Sequence, residues 1–273
     1  MAEFHNRTRK SKSIPLALLR RGRLWDLPLY CLLSQSDLGR EGFENSGSYK
    51  FADHIYRHVP AGTGTLGRWI DARLLALPAV RSFRNRFLAA RDELAGFLQD
   101  RGGTALNVLS VPCGLPRELV EGARMARGRG ADLSRVVFHG LDLNPEVLHE
   151  ALAFAQGQDL KNFCCHEGDA LLRSSYPAGI HFATSTGLAE FLDDEKLVAL
   201  YRAVYGCLHV GGTFVSSGMQ CRWASQYLLK IAEIQVHYRR AEGLEQLARR
   251  AGFKEVSTRY DSLGIQCMLV AKK

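Results

Sequence analysis

An apolar run that ends in a sharp turn, Ala105–Gly114, constrains the fold more than any other segment of this sequence. Its letters, ALNVLSVPCG, predict a buried strand followed by a turn in which Gly114 lets another group approach the backbone closely. A second predicted strand, Val136–Asp142, ends in a carboxylate placed to bind ribose hydroxyls. The two segments together indicate a site for an adenosine-containing cofactor.

Predicted strands and helices alternate from Ala105 onward, which indicates a doubly wound, mostly parallel sheet. Asn144 is expected to cap a helix, because Pro145 then occupies the first helical position, where no amide hydrogen is needed. The last two predicted strands, Glu255–Tyr260 and Ile265–Ala271, are too close in sequence for a parallel crossover and should pair antiparallel.

Two further helices are expected in this region. Asp193 or Asp194 should cap a helix that continues to Leu208 and is stopped by Gly211 and Gly212. A long helix is also expected from about Trp223.

The first hundred residues differ from the rest, because helical patterns dominate there and the charge is basic. The chain has 36 Lys and Arg against 28 Asp and Glu, a net charge of +8. Residues 1–100 carry 16 basic and 10 acidic side chains, and therefore +6 of that charge. We predict a basic arm and helical cap over residues 1–100 and a cofactor-binding sheet domain over 101–273. A positive charge of this kind is typical of a solvated basic arm, of a segment attracted to an anionic membrane, or of a segment that binds an acidic substrate.

Cysteine usage limits the classes of protein that fit. The seven cysteines form no Cys-x-x-Cys pair and are odd in number, which argues against a zinc ribbon and against a complete disulfide framework. We therefore expect no metal site and a cytoplasmic location. No apolar run reaches the ~18–20 residues of a membrane span.

The strand pattern resembles that of class I S-adenosylmethionine-dependent methyltransferases, over about Ala105–Lys273. In such enzymes the first turn usually reads acid-x-Gly-x-Gly-x-Gly, and here those positions are Ser110, Pro112, Gly114 and Pro116, so the middle glycine is kept. The resemblance implies a Rossmann-like seven-stranded sheet, mostly parallel with the last strand antiparallel, and S-adenosyl-L-methionine as cofactor.

The resemblance also implies where the cofactor binds, at the carboxyl ends of the first four strands. Asp142 would hold the ribose hydroxyls, Leu143 would flank the adenine, and Asp169 with Ala170 would meet its exocyclic amine. The implied residues of the first turn are Ser110, Pro112 and Gly114, and those bordering the methionine moiety are Thr186, Gly187 and Leu188.

A narrower similarity joins the segments Tyr49–Arg57, Leu66–Asp71 and His237–Arg239 to a group of bacterial methyltransferases, some of whose relatives are fused to hydrolases of lysophospholipase type. It implies a small or lipid-like acceptor, with methyl transfer by in-line displacement. Tyr49 and Arg57 are expected to close over the cofactor. His237 and His54 are the candidate catalytic bases, since methylation of a hydroxyl requires a proton acceptor.

Three alternatives stay open at this point. A nicotinamide oxidoreductase would share the sheet and the acid after the second strand, but the sequence lacks G-x-G-x-x-G. A catalytically degenerate partner subunit would explain the Ser110 that stands in place of the acid. A nucleic-acid methyltransferase would suit the positive charge, but Thr184–Gly187 replaces the Asn/Asp-Pro-Pro-aromatic motif used on exocyclic amines.

Overall fold

The computed structural model describes residues 14–20, 22, 24–44, 48–221 and 236–273. These residues form two compact units, one made of the described residues up to Arg84 and the other of Asn85–Cys221 and Val236–Lys273. The division between these units lies inside a long helix, Pro78–Asp100. The helix expected from about Trp223 lies outside the described residues.

The helical unit is built from short helices joined by tight connections. They are α1 (Ile14–Arg20), α2 (Asp26–Leu33), α3 (Asp37–Glu44), α4 (Tyr49–Arg57), α5 (Gly64–Leu75) and the start of α6 (Pro78–Asp100). Ser48 caps α4, because its hydroxyl accepts a hydrogen bond of 3.1 Å from the amide of Phe51. The described part of the chain contains no helix long and apolar enough to cross a membrane.

Asp71 on α5 holds this unit together through hydrogen bonds to three separate segments. Its Oδ1 accepts from the Ser36 hydroxyl at 2.5 Å and from the Leu38 amide at 2.8 Å. Its Oδ2 lies 2.8 Å from Nε2 of His54 and accepts from the Ala61 amide at 3.1 Å. Burial would raise the pKa of Asp71, but the hydrogen bonds from His54, Ser36 and the two amides lower it below its usual value. His54 is therefore part of a buried polar network.

The second unit is a seven-stranded sheet with helices on both faces. The strands are β1 (Leu106–Ser110), β2 (Val136–Asp142), β3 (Phe163–Glu167), β4 (Ile180–Ser185), β5 (Leu208–Met219), β6 (Glu255–Tyr260) and β7 (Gln266–Lys272). The helices are α7 (Arg117–Gly128), α8 (Pro145–Gly157), α9 (Asp194–Cys207) and α10 (Ala241–Ala251), with short 3-10 turns at Arg173–Ser175 and Ala189–Phe191. The strand order is β3-β2-β1-β4-β5-β7-β6, and β7 is the strand that runs opposite to the other six. The predicted α/β sheet with a reversed last strand is confirmed.

The inner strands β1, β2, β4 and β7 are buried on both faces, which explains why they are rich in apolar residues, whereas the edge strands β3 and β6 are largely exposed. Val108 of β1 packs in one cluster with α6, α7 and α8, whereas Leu109 packs in the other with α9 and α10. Asn144 caps α8 as expected, because its Oδ1 accepts a hydrogen bond of 2.9 Å from the amide of Glu146. Asp193 caps α9 by accepting from the amide of Lys196 at 2.9 Å.

The junction between α9 and β5 differs from the expectation. The helix ends at Cys207, and Leu208 already belongs to β5, where it pairs with Ile180 of β4. We expected the helix to continue to Leu208 and to be stopped by Gly211 and Gly212, and this expectation is wrong. An apolar residue at the next helical position fits a strand equally well, and the free edge of β4 offers backbone hydrogen bonds there.

The strand order places a topological switch point between β1 and β4. From β1 the chain builds outward to β2 and β3, and from β4 it builds in the opposite direction. In open α/β sheets ligands bind in the crevice at the carboxyl ends of the strands beside such a point. The carboxyl edge of β1, β2, β3 and β4 is therefore where a site is expected.

Candidate functional site

The turn after β1 is fixed to both neighbouring strands. The amide of Val111 donates to the carbonyl of Thr184 on β4 at 2.9 Å, and the amide of Cys113 donates to the carbonyl of Leu141 on β2 at 2.9 Å. The peptide bond between Val111 and Pro112 is cis. Gly114 has a φ of 46°, a left-handed conformation that favours glycine. The turn therefore presents the backbone of Gly114 at the carboxyl edge.

Asp142, at the end of β2, faces this turn. Its Oδ2 accepts from the amide of Gly114 at 3.2 Å, and its Oδ1 accepts from the amide of Asn144 at 3.2 Å. Burial raises the pKa of Asp142, and the bonds from Asn144 and Gly114 oppose that rise. Each carboxylate oxygen keeps a second acceptor site, and the side chain is only partly buried. Leu143 beside it is 40% exposed, an apolar surface next to the acid.

The end of β3 lies at the same edge. The amide of Gly168 donates to the carbonyl of Asp142 at 3.0 Å, which ties the end of β3 to the end of β2. Asp169 follows, and its Oδ1 accepts from the amide of Leu171 at 2.9 Å. Asp169 and Ala170 are both partly exposed. A second acid therefore stands next to the first at this edge, in the order expected from the sequence.

A buried ion pair supports the loop after β4. Gly187 has a φ of 99°, and a Cβ built on it would lie 2.7 Å from Nη2 of Arg86. Nη1 of Arg86 donates to Oε1 of Glu190 at 2.6 Å, and Nε2 of Gln266 donates to the same oxygen at 3.1 Å. The Gly187 amide donates to the Ser217 hydroxyl at 3.3 Å. The absence of a side chain at Gly187 is what lets the guanidinium pack directly beneath this loop.

Polar groups without protein partners also lie at this edge. The hydroxyls of Thr184 and Ser185, at the end of β4, are buried and have no hydrogen-bond partner among the described residues. Buried hydroxyls are normally satisfied, so two of them beside the switch point fit a site that a polar ligand completes. Together with Asp142 and exposed Leu143, they fit a nucleoside cofactor with a polar tail. Across the part of the chain that the structure describes, no group of three or more His, Cys, Asp or Glu side chains is arranged to hold a metal ion.

The structure places the predicted site residues in three locations: the carboxyl edge of the sheet, α4 of the helical unit, and the segment before α10. The predicted residues of the sheet unit lie at or just beyond the carboxyl ends of β1 to β4; they are Ser110, Pro112, Gly114, Asp142, Leu143, Asp169, Ala170, Thr186, Gly187 and Leu188. Tyr49, His54 and Arg57 lie on α4 of the helical unit, where Nε of Arg57 lies 3.0 Å from Oδ2 of Asp53. His237 is exposed, and its amide donates to the carbonyl of Glu190 at 2.7 Å. The roles of all these residues stay predictions.

Sequence reasoning missed four residues of this region. Arg86, Glu190 and Gln266 meet beneath the loop after β4, although 104 residues separate the first two and 76 the last two. Glu118, in the first turn of α7, accepts a hydrogen bond of 2.5 Å from the hydroxyl of Ser110. No local pattern marks the first three, whereas the eight-residue interval between Ser110 and Glu118 could have been noticed.

Comparison with known proteins identifies the class to which this fold belongs. The fold is that of the class I S-adenosylmethionine-dependent methyltransferases, and the cofactor is S-adenosylmethionine. Residues 25–273 match the profile of the family described as "Putative methyltransferase", and the chain belongs to that family. A search of the curated proteins gave no match.

Solved structures share the fold. A "possible exported protein" from Bordetella parapertussis is 25% identical, with a TM-score of 0.72 over 88% of this chain and 84% of that one. Magnesium protoporphyrin IX methyltransferase from Synechocystis, solved with S-adenosylhomocysteine, is 12% identical, with a TM-score of 0.56 over 86% of this chain and 97% of that one. A "putative O-methyltransferase" from Nostoc punctiforme is 16% identical, with a TM-score of 0.53 over 69% and 60%. The predicted fold class is confirmed.

Proposed function

We propose that this methyltransferase acts on a small or lipid-like acceptor by in-line displacement. The observation that carries the methyl transfer is the carboxyl edge of the sheet, where Gly114, Asp142 and Asp169 lie at or beyond the ends of β1, β2 and β3 in the required order. Bound S-adenosylmethionine supplies an electrophilic methyl group. The chain has to align the acceptor with that group and, for a hydroxyl acceptor, to take its proton.

The proposed cofactor contacts follow from the geometry of the edge. Asp142 is held by two amides and still has acceptor sites for the two ribose hydroxyls. The exposed side chain of Leu143 suits one face of the adenine. Asp169 and Ala170, at the end of β3, would meet the adenine edge. Thr186, Gly187 and Leu188 would border the methionine moiety and the acceptor.

His237 is the favoured proton acceptor for a hydroxyl substrate. Its side chain is exposed, and its backbone is bound to Glu190 in the 3-10 turn that follows β4. His54 differs, because it is 6% exposed and its Nε2 lies against the buried carboxylate of Asp71. That environment favours a structural role for His54. Of the two candidate bases, His237 is therefore the one that is exposed to a substrate.

The proposal is tested with a panel of acceptors that carry hydroxyl, amine or lysophospholipid groups, with formation of S-adenosylhomocysteine as the measurement. With a hydroxyl acceptor, His237→Ala should lower kcat by about 100-fold or more, since general-base catalysis contributes at least that much. His209→Ala is the matched control, because His209 is exposed at the amino end of β5 and should leave kcat unchanged. Full turnover by the His237 variant would mean that positioning alone drives the transfer.

A lipid-like acceptor is supported by apolar side chains exposed near the start of the described chain. Leu16, Leu19, Leu24 and Trp25 are exposed by 55%, 48%, 55% and 89%. The first 26 residues of the sequence contain seven Lys or Arg and two acidic residues. Exposed Leu and Trp combined with positive charge are typical of a segment that lies at an anionic membrane surface. We propose that this arm, residues 1–26, makes peripheral contact with membranes.

The cytoplasmic location of the protein stays a prediction, which cell fractionation tests.

Sedimentation with lipid vesicles tests the membrane contact. The protein should bind vesicles that contain phosphatidylglycerol more tightly than vesicles of phosphatidylcholine alone. Replacing both Leu24 and Trp25 with Ser should weaken this binding at least tenfold, since each apolar side chain contributes about 1.5–3 kcal/mol when buried. Trp69→Ser is the matched control, because Trp69 on α5 is 57% exposed and lies outside the arm. Equal loss from both variants, or no binding to either vesicle, contradicts the proposal.

A further inference from the structure

A buried carboxyl group lies beside the switch point. Glu118, in the first turn of α7, is 7% exposed, and its Oε1 accepts from the Ser110 hydroxyl at 2.5 Å. Among the described residues, none forms an ion pair with it. Burial raises the pKa of Glu118, because removing a carboxylate from water is unfavourable, while the hydrogen bond from Ser110 and the charge of Arg117 oppose that rise. A cation bound at this point would offset that cost.

The surroundings of Glu118 face the crevice between β1 and β4. Ser110 is the last residue of β1, and its partner across the parallel ladder is Thr184 of β4. Side chains of paired residues point to the same face of a sheet, so the Thr184 hydroxyl lies on the face from which Ser110 contacts Glu118. That hydroxyl is buried and has no hydrogen-bond partner in the described part of the chain. A carboxyl group and an unsatisfied hydroxyl therefore stand together at the edge where the cofactor binds.

The position of Glu118 also accounts for the serine at the end of β1. The side chain of Ser110 carries no charge, but its hydroxyl donates a hydrogen bond to the carboxyl group of Glu118. Helix α7 thus delivers the negative charge that β1 lacks. An acidic residue in the first turn of a helix also stabilises the helix through its dipole. Glu118 could therefore have a purely structural role, and the experiment below distinguishes the two roles.

We propose that Glu118, oriented by Ser110, binds the α-ammonium group of the methionine moiety of the cofactor. The ammonium donates to the carboxylate, and the Thr184 hydroxyl supplies a further polar contact for the amino-acid tail. Specificity for a cofactor with a free amino group then depends on a helix residue. The assignment rests on the established cofactor class and not on the identity of the acceptor.

Calorimetry with three ligands tests the assignment on the full-length protein. The ligands are S-adenosylhomocysteine, its analogue with hydrogen in place of the α-amino group, and methylthioadenosine, which lacks the amino-acid tail. The unaltered protein should bind S-adenosylhomocysteine about 10- to 100-fold more tightly than the deaminated analogue, the range of a hydrogen bond between charged groups. In Glu118→Gln this discrimination should fall below threefold, while the affinity for methylthioadenosine stays unchanged.

Glu121→Gln is the matched control, since Glu121 lies on the same helix and pairs with Arg117 at 3.7 Å. It should keep the full discrimination. Equal weakening of all three ligands by Glu118→Gln would show a purely structural role and overturn the proposal. Should Glu118→Gln fail to fold, Ser110→Ala must reduce the same discrimination, and its full retention would also overturn the proposal. Failure of the unaltered protein to bind any of the three ligands would instead contradict the cofactor.

Discussion

Replacing Arg86 with Met is expected to lower the free energy of unfolding by about 3–5 kcal/mol, the cost of leaving a buried partner charge uncompensated. Arg86 and Glu190 are 2% and 3% exposed, and their ion pair is 2.6 Å long. Without the guanidinium, the carboxylate of Glu190 loses its positive partner and keeps the hydrogen bond from Nε2 of Gln266 at 3.1 Å. Urea unfolding of the full chain, followed by circular dichroism, measures the loss.

A double variant separates the charge effect from simple loss of packing. Glu190→Gln in the Arg86→Met background removes the unpaired charge, so the double variant should be more stable than Arg86→Met alone. The two substitutions are then strongly non-additive, as expected for residues that interact directly. Additive effects, or a loss below about 1 kcal/mol for Arg86→Met, would show that the pair does not support the loop after β4.

The sheet could be predicted from the sequence because its signals are local. Buried strands appear as apolar runs, and the cap formed by Asn144 with Pro145 marks the start of α8 within two residues. Asp142 is the last residue of β2, and Asp169 lies two residues beyond the end of β3. Because the strands are parallel, both acids must lie at the carboxyl edge of the sheet. The position of these two acids at the carboxyl edge could therefore be predicted from the sequence.

The supports of that edge could not be predicted, because they depend on distances between segments far apart in sequence. Arg86 looks like one more basic residue on a helix, and Gln266 like an ordinary residue of the predicted strand Ile265–Ala271. Only the fold brings both to Glu190. The end of α9 was misplaced for a different reason, since Leu208 satisfies the helical pattern and the β5 pairing equally well, and the tertiary contact with Ile180 decides between them.

Asp142→Ala is expected to weaken binding of S-adenosylhomocysteine by about 1–3 kcal/mol, the scale for loss of a charge-assisted hydrogen-bond partner. The carboxylate accepts from Gly114 and Asn144, each at 3.2 Å, so its removal also leaves two amides at the edge without their acceptor. Asp132→Ala is the control, because Asp132 precedes the amino end of β2 and should leave the affinity unchanged.

The chemical origin of this loss can be read from ligands that lack ribose hydroxyls. If Asp142 binds those hydroxyls, the unaltered protein should prefer methylthioadenosine over its 2′,3′-dideoxy analogue, and Asp142→Ala should bind both with similar, low affinity. A variant that keeps both the preference and the affinities of the unaltered protein would place the ribose contact on another residue. A variant that weakens both ligands by the same factor, and so keeps the preference at lower affinity, would instead show that Asp142 acts by holding the Gly114 turn, whose amide donates to its Oδ2 at 3.2 Å.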